Sequence, residues 1–136
     1  MSALLNLAAG PLSMNSQEIA DLVESRHDSV KRTIERLVET QVEWREAFAR
    51  EYPHMSGQAR AIRTADDTPY TTSFETYLRG ELGTYSEETL GAYARMIDDF
   101  EQEDRNLTTE TMAHTARLYG YASLDDAERK TGGSAS

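Results

Sequence analysis

The stretch MNSQEIADLVESRHDSVKRTIERL, residues 14–37, is the part of the chain on whose reading the fold turns. Ser16 is placed to cap a short helix, Gln17–Val23, whose Ile19, Leu22 and Val23 fall on one face. Glu24 and Ser25 then read as a tight turn, with Ser25 capping a second helix. In that helix Val30, Ile34, Leu37 and Val38 recur at helical spacing, and the pattern continues through Val42 toward Trp44 and Phe48. Gly and Pro are absent between Pro11 and Pro53, so a break near Thr40–Gln41 is open but not required. Short helix, turn and longer helix make a helix-turn-helix, in which the second helix enters the major groove and its first residues touch base edges or phosphates. Arg26, His27, Ser29, Lys31 and Arg32 stand at that entrance and can make such contacts, which makes them the candidate DNA-binding set. The plainer reading pairs Arg26 with Glu24 or Glu35, has Asp28 favour the helix dipole, and uses the same motif for protein contact or dimerisation.

Beyond this head, residues 53–72 hold two prolines, Gly57 and many small polar residues. They read either as a flexible linker or as a β-hairpin wing, with strands Ala59–Thr64 and Tyr70–Ser73 around Ala65–Pro69. Ser73 then starts a helix, Phe74–Leu82, closed by Gly83. Ser86 starts another, with Leu90, Tyr93, Ala94, Ile97 and Phe100 as its inward stripe. Thr108 or Thr109 starts a third, with Met112, Thr115, Ala116 and Tyr119 inward and Gly120 at its end. Ser123, with Asp125 and Asp126, opens a last short helix, and the tail Thr131–Ser136 is expected to be disordered. Residues 88–96 and 110–118 repeat weakly at an offset of 22, as two capped amphipathic helices of one bundle would. The domain scheme is therefore a head at 1–52, a linker or wing at 53–72, an acidic helical region at 73–130 and a tail at 131–136.

Composition bounds what this scheme can do. The chain has 136 residues, 24 acidic against 14 basic side chains, a net charge of −10, and no cysteine. Disulfides, thiolate zinc sites and cysteine nucleophiles are excluded. Only 23 residues are Leu, Ile, Val or Phe, a proportion at which disorder competes with folding, but sixteen Ala, seven Tyr and five Met offset it. A soluble, Ala-rich helical protein with a thin core follows. Ala3–Ala9, the longest apolar run, is far short of the roughly 20 residues that span a bilayer, and no basic residue precedes Arg26 as a secretory leader requires. No membrane association is expected, and the absence of cysteine is compatible with a reducing cytoplasm. The charge is unevenly spread. Residues 1–50 carry six basic and eight acidic side chains, and residues 51–136 carry eight and sixteen. The one basic island, Arg26–Arg36, coincides with the helix-turn-helix pattern.

Catalytic signatures are lacking, so the chain reads as a non-enzyme without cofactor or metal. His27, His54 and His114 show no zincin spacing, and Glu110 with His114 reads as a surface pair rather than a ligand pair. The run Asp98–Asp104 alternates carboxylates like a calcium loop but lacks the glycine of its sharp turn. It reads as a solvated helix end. Alternatively, Asp98, Asp99, Glu101 and Glu103 form an acidic patch that docks on a basic protein, as DNA mimics do.

Residues 14–37 also resemble the N-terminal segment of Rha-type phage regulatory proteins. The shared pattern is Ser16, Glu18, Ile19, Ala20 and Leu22, then Arg26, His27, Asp28 and Val30, then Arg32 and Ile34. The resemblance implies phage or prophage origin and a winged-helix-like, DNA-binding regulatory role. After Thr40 there is no counterpart of the tyrosine-rich, Asp-Gly-containing strand region that usually follows. The expectation is thus a mainly α protein, with a helix-turn-helix head (winged or not) on a small C-terminal helical bundle. Its expected function is a homodimeric phage-type regulator of duplex DNA. The alternative is an acidic phage inhibitor of a host or competitor protein such as a repressor, a restriction enzyme or a CRISPR complex.

Overall fold

In the computed structural model, residues 15–133 are described. They form six helices and no strand: α1 (Ser16–Glu51), α2 (Pro53–Ser56), α3 (Phe74–Leu82), α4 (Glu87–Gln102), α5 (Leu107–Leu118) and α6 (Leu124–Gly133). A single 3-10 turn, Thr64–Asp66, lies between α2 and α3. The protein is mainly α, as the periodicity requires. The apolar run Ala3–Ala9 and the last residues of the expected tail lie outside the described residues, whereas Thr131–Gly133 are helical. No helix among those described is long and apolar enough to cross a membrane.

The helix-turn-helix is not formed. Residues 16–51 are one helix of 36 residues, with no turn at Glu24–Ser25. The physical reason is local: no Gly, Pro or Asn interrupts residues 16–51, and Glu24 and Ser25 are compatible with helix. Once nucleated, propagation through them gains one hydrogen bond per residue fixed. The cap also sits one residue earlier than Ser16. The Asn15 side-chain oxygen accepts the Glu18 N–H at 2.8 Å, and its side-chain amide donates to the Glu18 carboxylate at 3.3 Å.

Two compact units meet between Thr33 and Ile34. In the first, the described residues are the helical segment from Asn15 to Thr33. In the second, Leu37, Val38 and Val42 of α1, Leu78 and Leu82 of α3, and Leu90, Ala94 and Ile97 of α4 are buried. Gln41, also buried, is satisfied on both ends: its amide donates to Leu37 O, and its oxygen accepts the Tyr93 hydroxyl at 2.9 Å. A second cluster gathers Phe48, Tyr52, Ala116, Leu124 and Ala127, with Met55 and Met112 packed against it. Glu128 of α6 fastens α2 to this cluster by accepting the backbone N–H groups of His54 and Met55 at 2.9 Å each.

Ser73 and Ser86 cap α3 and α4 as their sequence positions predict, accepting from Thr76 N and Thr89 N. Helix α5 starts earlier than Thr108. Its cap is Asn106, which accepts the Thr109 N–H and donates to Trp44 O at 3.0 Å, so one side chain serves both α5 and α1. Tyr119, expected inward, is exposed, because the helix ends at Leu118 and Gly120 turns the chain at φ 91°.

Residues 57–73 are neither wing nor loose linker. The N–H groups of Phe74 and Glu75, orphans at the start of α3, donate to Ala61 O and Ile62 O at 2.8 and 2.9 Å. Asp67 accepts from Ser73 N and Thr76 Oγ1, and Arg63 reaches Glu46 and Glu39 of α1. The hairpin is lost because these backbone groups are taken by a helix start and by carboxylates instead of by a partner strand.

Candidate functional site

Arg26, His27, Ser29, Lys31 and Arg32 are all exposed on α1, and none forms an ion pair among the described residues. They do not share a face. At about 100° per residue, Arg26, His27, Lys31 and Arg32 project at roughly 0°, 100°, 140° and 240° around the axis. Residues 16–33 also hold Glu18, Asp21, Glu24 and Asp28 against Arg26, Lys31 and Arg32, so this segment is not basic overall. Their arrangement therefore lacks the one-sided basic surface that a groove-reading helix presents. Glu35, a suggested partner of Arg26, is instead bidentate to Arg79 at 2.8 and 3.0 Å, which holds its carboxyl below the usual range.

The acidic run is similarly divided. Asp98 pairs with Arg36 and Glu103 with Arg105, both at 2.7 Å, while Asp99 and Glu101 are exposed. Glu110 is clasped by Arg105 at 2.6 and 2.8 Å rather than facing His114. Among the described residues no group of three or more His, Asp or Glu is arranged to hold a metal ion.

The structure instead draws attention to two arginines that sequence reasoning passed over. In the second unit Arg36, Arg63, Arg79, Arg105 and Arg129 each meet at least one carboxylate. Arg45, Arg50, Arg60, Arg95 and Arg117 form no ion pair among the described residues, and of these Arg45 and Arg60 come together. These two line one cleft with about 60 Å³ of free volume, and no carboxylate lines it with them. Its apolar wall is Phe48, Met55, Ile62 and Met112.

Helix α3 positions both guanidinium groups with aromatic faces instead of acids. Arg45 lies 3.9 Å from the ring centre of Phe74, and Arg60 lies 5.1 Å from that of Tyr77, one helical turn further on. Loop and helix are locked together by the 61–74 and 62–75 backbone bonds, so Arg60 is delivered to the same place as Arg45. A guanidinium stacked by its face keeps its in-plane donors available. Arg45 Nε is buried with no hydrogen-bond partner among the described residues, an expensive state for a charged donor. Burial first, and repulsion from Arg60 second, lower the Arg45 pKa from its ordinary value.

Thr108, the second residue of α5, lines the same cleft. Two cations therefore meet at a small hollow that no carboxylate lines, in a chain whose net charge is −10. Such a hollow is suited to an anion.

The sequence held one signal for this site. Between Glu51 and Asp66 there is no acidic residue, although the chain averages one in fewer than six, and Arg60 and Arg63 fall in that gap. Arg45 gave no signal, because Glu43 and Glu46 beside it suggest an ordinary surface ion pair.

Residues 9–129 match a family model described as a protein of unknown function (DUF4125). No curated protein matches the chain, and no solved structure does.

Proposed function

Because the chain belongs to the DUF4125 family, whose description assigns no activity, its role has to be argued from its own residues, and we propose that it is a binding protein for a small anion. The observation that carries this reading is the unpaired Arg45–Arg60 couple in a cleft free of carboxylates. A carboxylate, phosphate or sulfate group in the cleft would offset the charge that the two arginines bring together and relieve their repulsion. Each charge-assisted hydrogen bond to such a group is worth about 1.5–3 kcal/mol. The apolar wall lowers the local dielectric and strengthens those bonds. The regulatory-DNA and inhibitor readings draw less support. The first relied on a turn that the helix does not make, and the second on acids of which half are paired.

The test is a titration of the full chain with inorganic phosphate and with acetate, followed by NMR of arginine Nε–H groups and by thermal melting. We expect saturable binding with the Arg45 signal moving most, and an upward melting shift that grows with ligand concentration. Arg45→Met keeps the apolar stem and removes the donors, and it should weaken binding by about 10- to 100-fold. Unsaturable titrations, or an Arg45→Met variant that binds as well as the parent, would overturn the reading.

A further inference from the structure

Arg60 of the cleft also lines a second, open hollow of about 390 Å³, together with Tyr70, Thr71, Thr72 and Tyr77 and again with no carboxylate. We propose that cleft and hollow are one bipartite site for a small aromatic anion, its charged head between Arg60 and Arg45 and its ring against Tyr77 and Tyr70. This rests on the anion reading above and adds the chemical class of the ligand's body.

Three observations carry it. The first is aromatic exposure. Tyr70 is 94% and Tyr77 55% exposed, and both line this one hollow. An aromatic side chain buries 150–250 Å² when it packs, so two left in water around a single concavity are a ready stacking surface. The second is access. The surface at Arg60, Tyr70, Thr71, Thr72 and Tyr77 is open to solvent and leaves room for a ring beside Arg60. The third is the polar lining of the hollow. Thr71 and Thr72 supply hydroxyls beside the rings, and the Thr68–Thr71 turn, closed by backbone bonds of 3.0 and 3.3 Å, presents Tyr70 at its tip. Arg60 would then act twice: its in-plane donors hold the anionic head, and its position over Tyr77 aligns the head with the stacking surface.

The ligand class that fits is an aryl or heteroaryl phosphate or carboxylate of small-molecule size. A single-stranded nucleic acid combines the same two groups, but it needs a groove of positive charge that tracks a backbone. Among the residues that line the two spaces, Arg45 and Arg60 are the only cations. The proposal is therefore the free small molecule.

Isothermal titration of the full chain with phenyl phosphate and with inorganic phosphate, at matched pH and ionic strength, tests this. Phenyl phosphate should bind at least tenfold tighter. Tyr70→Ala, which removes a side chain that supports nothing else, should collapse that ratio to below threefold, and so should Tyr77→Leu. Phenol, which has the ring without the charge, should not bind at the same concentrations. Equal affinity for phenyl phosphate and phosphate, with phosphate binding still dependent on Arg45, would overturn the aromatic half and leave the anion reading standing. Absence of phosphate and phenyl phosphate binding alike would overturn both. An oligothymidylate that binds more than tenfold tighter than thymidine monophosphate would replace the small molecule with a nucleic-acid strand.

Discussion

In the second half of α1, Leu37 and Val42 have no exposed surface, and polar side chains bond across the unit. Arg36 meets Asp98, Glu35 meets Arg79, Gln41 meets Tyr93 and Glu46 meets Arg63. In the first half, Ile19, Leu22 and Val23 recur at the same helical spacing yet keep 50%, 51% and 60% of their surface. The hydrogen bonds there are local: Asn15 with Glu18, Gln17 with Asp21, and Thr33 with Ser29. One helix thus runs through two regimes. From residue 34 on, tertiary packing holds it. Before that, capping, propensity and i,i+4 pairs do, and those are marginal for a helix of this length in water.

The strongest way to break this contrast is to truncate one side chain in each half. Leu37→Ala should cost about 2–5 kcal/mol in urea unfolding, since it leaves a cavity among fixed neighbours. Val23→Ala should change stability by no more than about 0.5 kcal/mol, as a surface substitution does. Comparable losses from both would mean that the stripe of residues 16–33 is covered in solution.

A smaller effect sharpens the same comparison at the helix caps. Asn106 is a cap with a second duty, because its amide also ties α5 to Trp44 O in the packed half of α1. Asn106→Ala should lower stability by about 1–2 kcal/mol, the upper part of the range for a lost cap. Asn106→Asp keeps the acceptor and loses the donor, and its loss should fall between that of Asn106→Ala and zero. If Asn106→Asp costs as much as Asn106→Ala, the tie to Trp44 outweighs the cap.

How far the sequence could be read follows from which signals are local. Ser73 and Ser86 stand three residues ahead of the N–H groups they accept, and Leu90, Ala94 and Ile97 lie four and three apart, so α3, α4 and the α4 core face were legible without any tertiary knowledge. Asn106 was missed because Thr108 and Thr109 are equally good cap residues, and only the bond to Trp44 distinguishes them. The hairpin at 59–73 was a fair reading of alternation, but Asp67, Arg63 and Glu75 each spend their bonding on partners 6 to 24 residues away. The Arg45–Arg60 cleft was illegible for the same reason. It takes Phe74 and Tyr77 to hold two arginines side by side without acids, and the partners of each pair stand 29 and 17 positions apart with nothing to announce the meeting.

The least legible point was Ser25, and it offers the finest test. A serine after a short amphipathic segment has two readings with opposite energetic signs. As the N-cap of a second helix, its hydroxyl would accept a backbone N–H, and Ser25→Ala would cost about 0.5–2 kcal/mol of helix stability. Within a continuous helix, the exposed hydroxyl offers the backbone a competing partner, and Ser25→Ala would stabilise the helix by up to about 0.5 kcal/mol. The continuous α1 predicts the second outcome: far-UV ellipticity of the full chain should hold or rise slightly, and amide exchange across residues 20–30 should slow. A drop in ellipticity, with faster exchange confined to residues 26–29, would place a cap at Ser25 and restore the turn. The effect is small, but its sign alone separates a continuous helix from a helix-turn-helix.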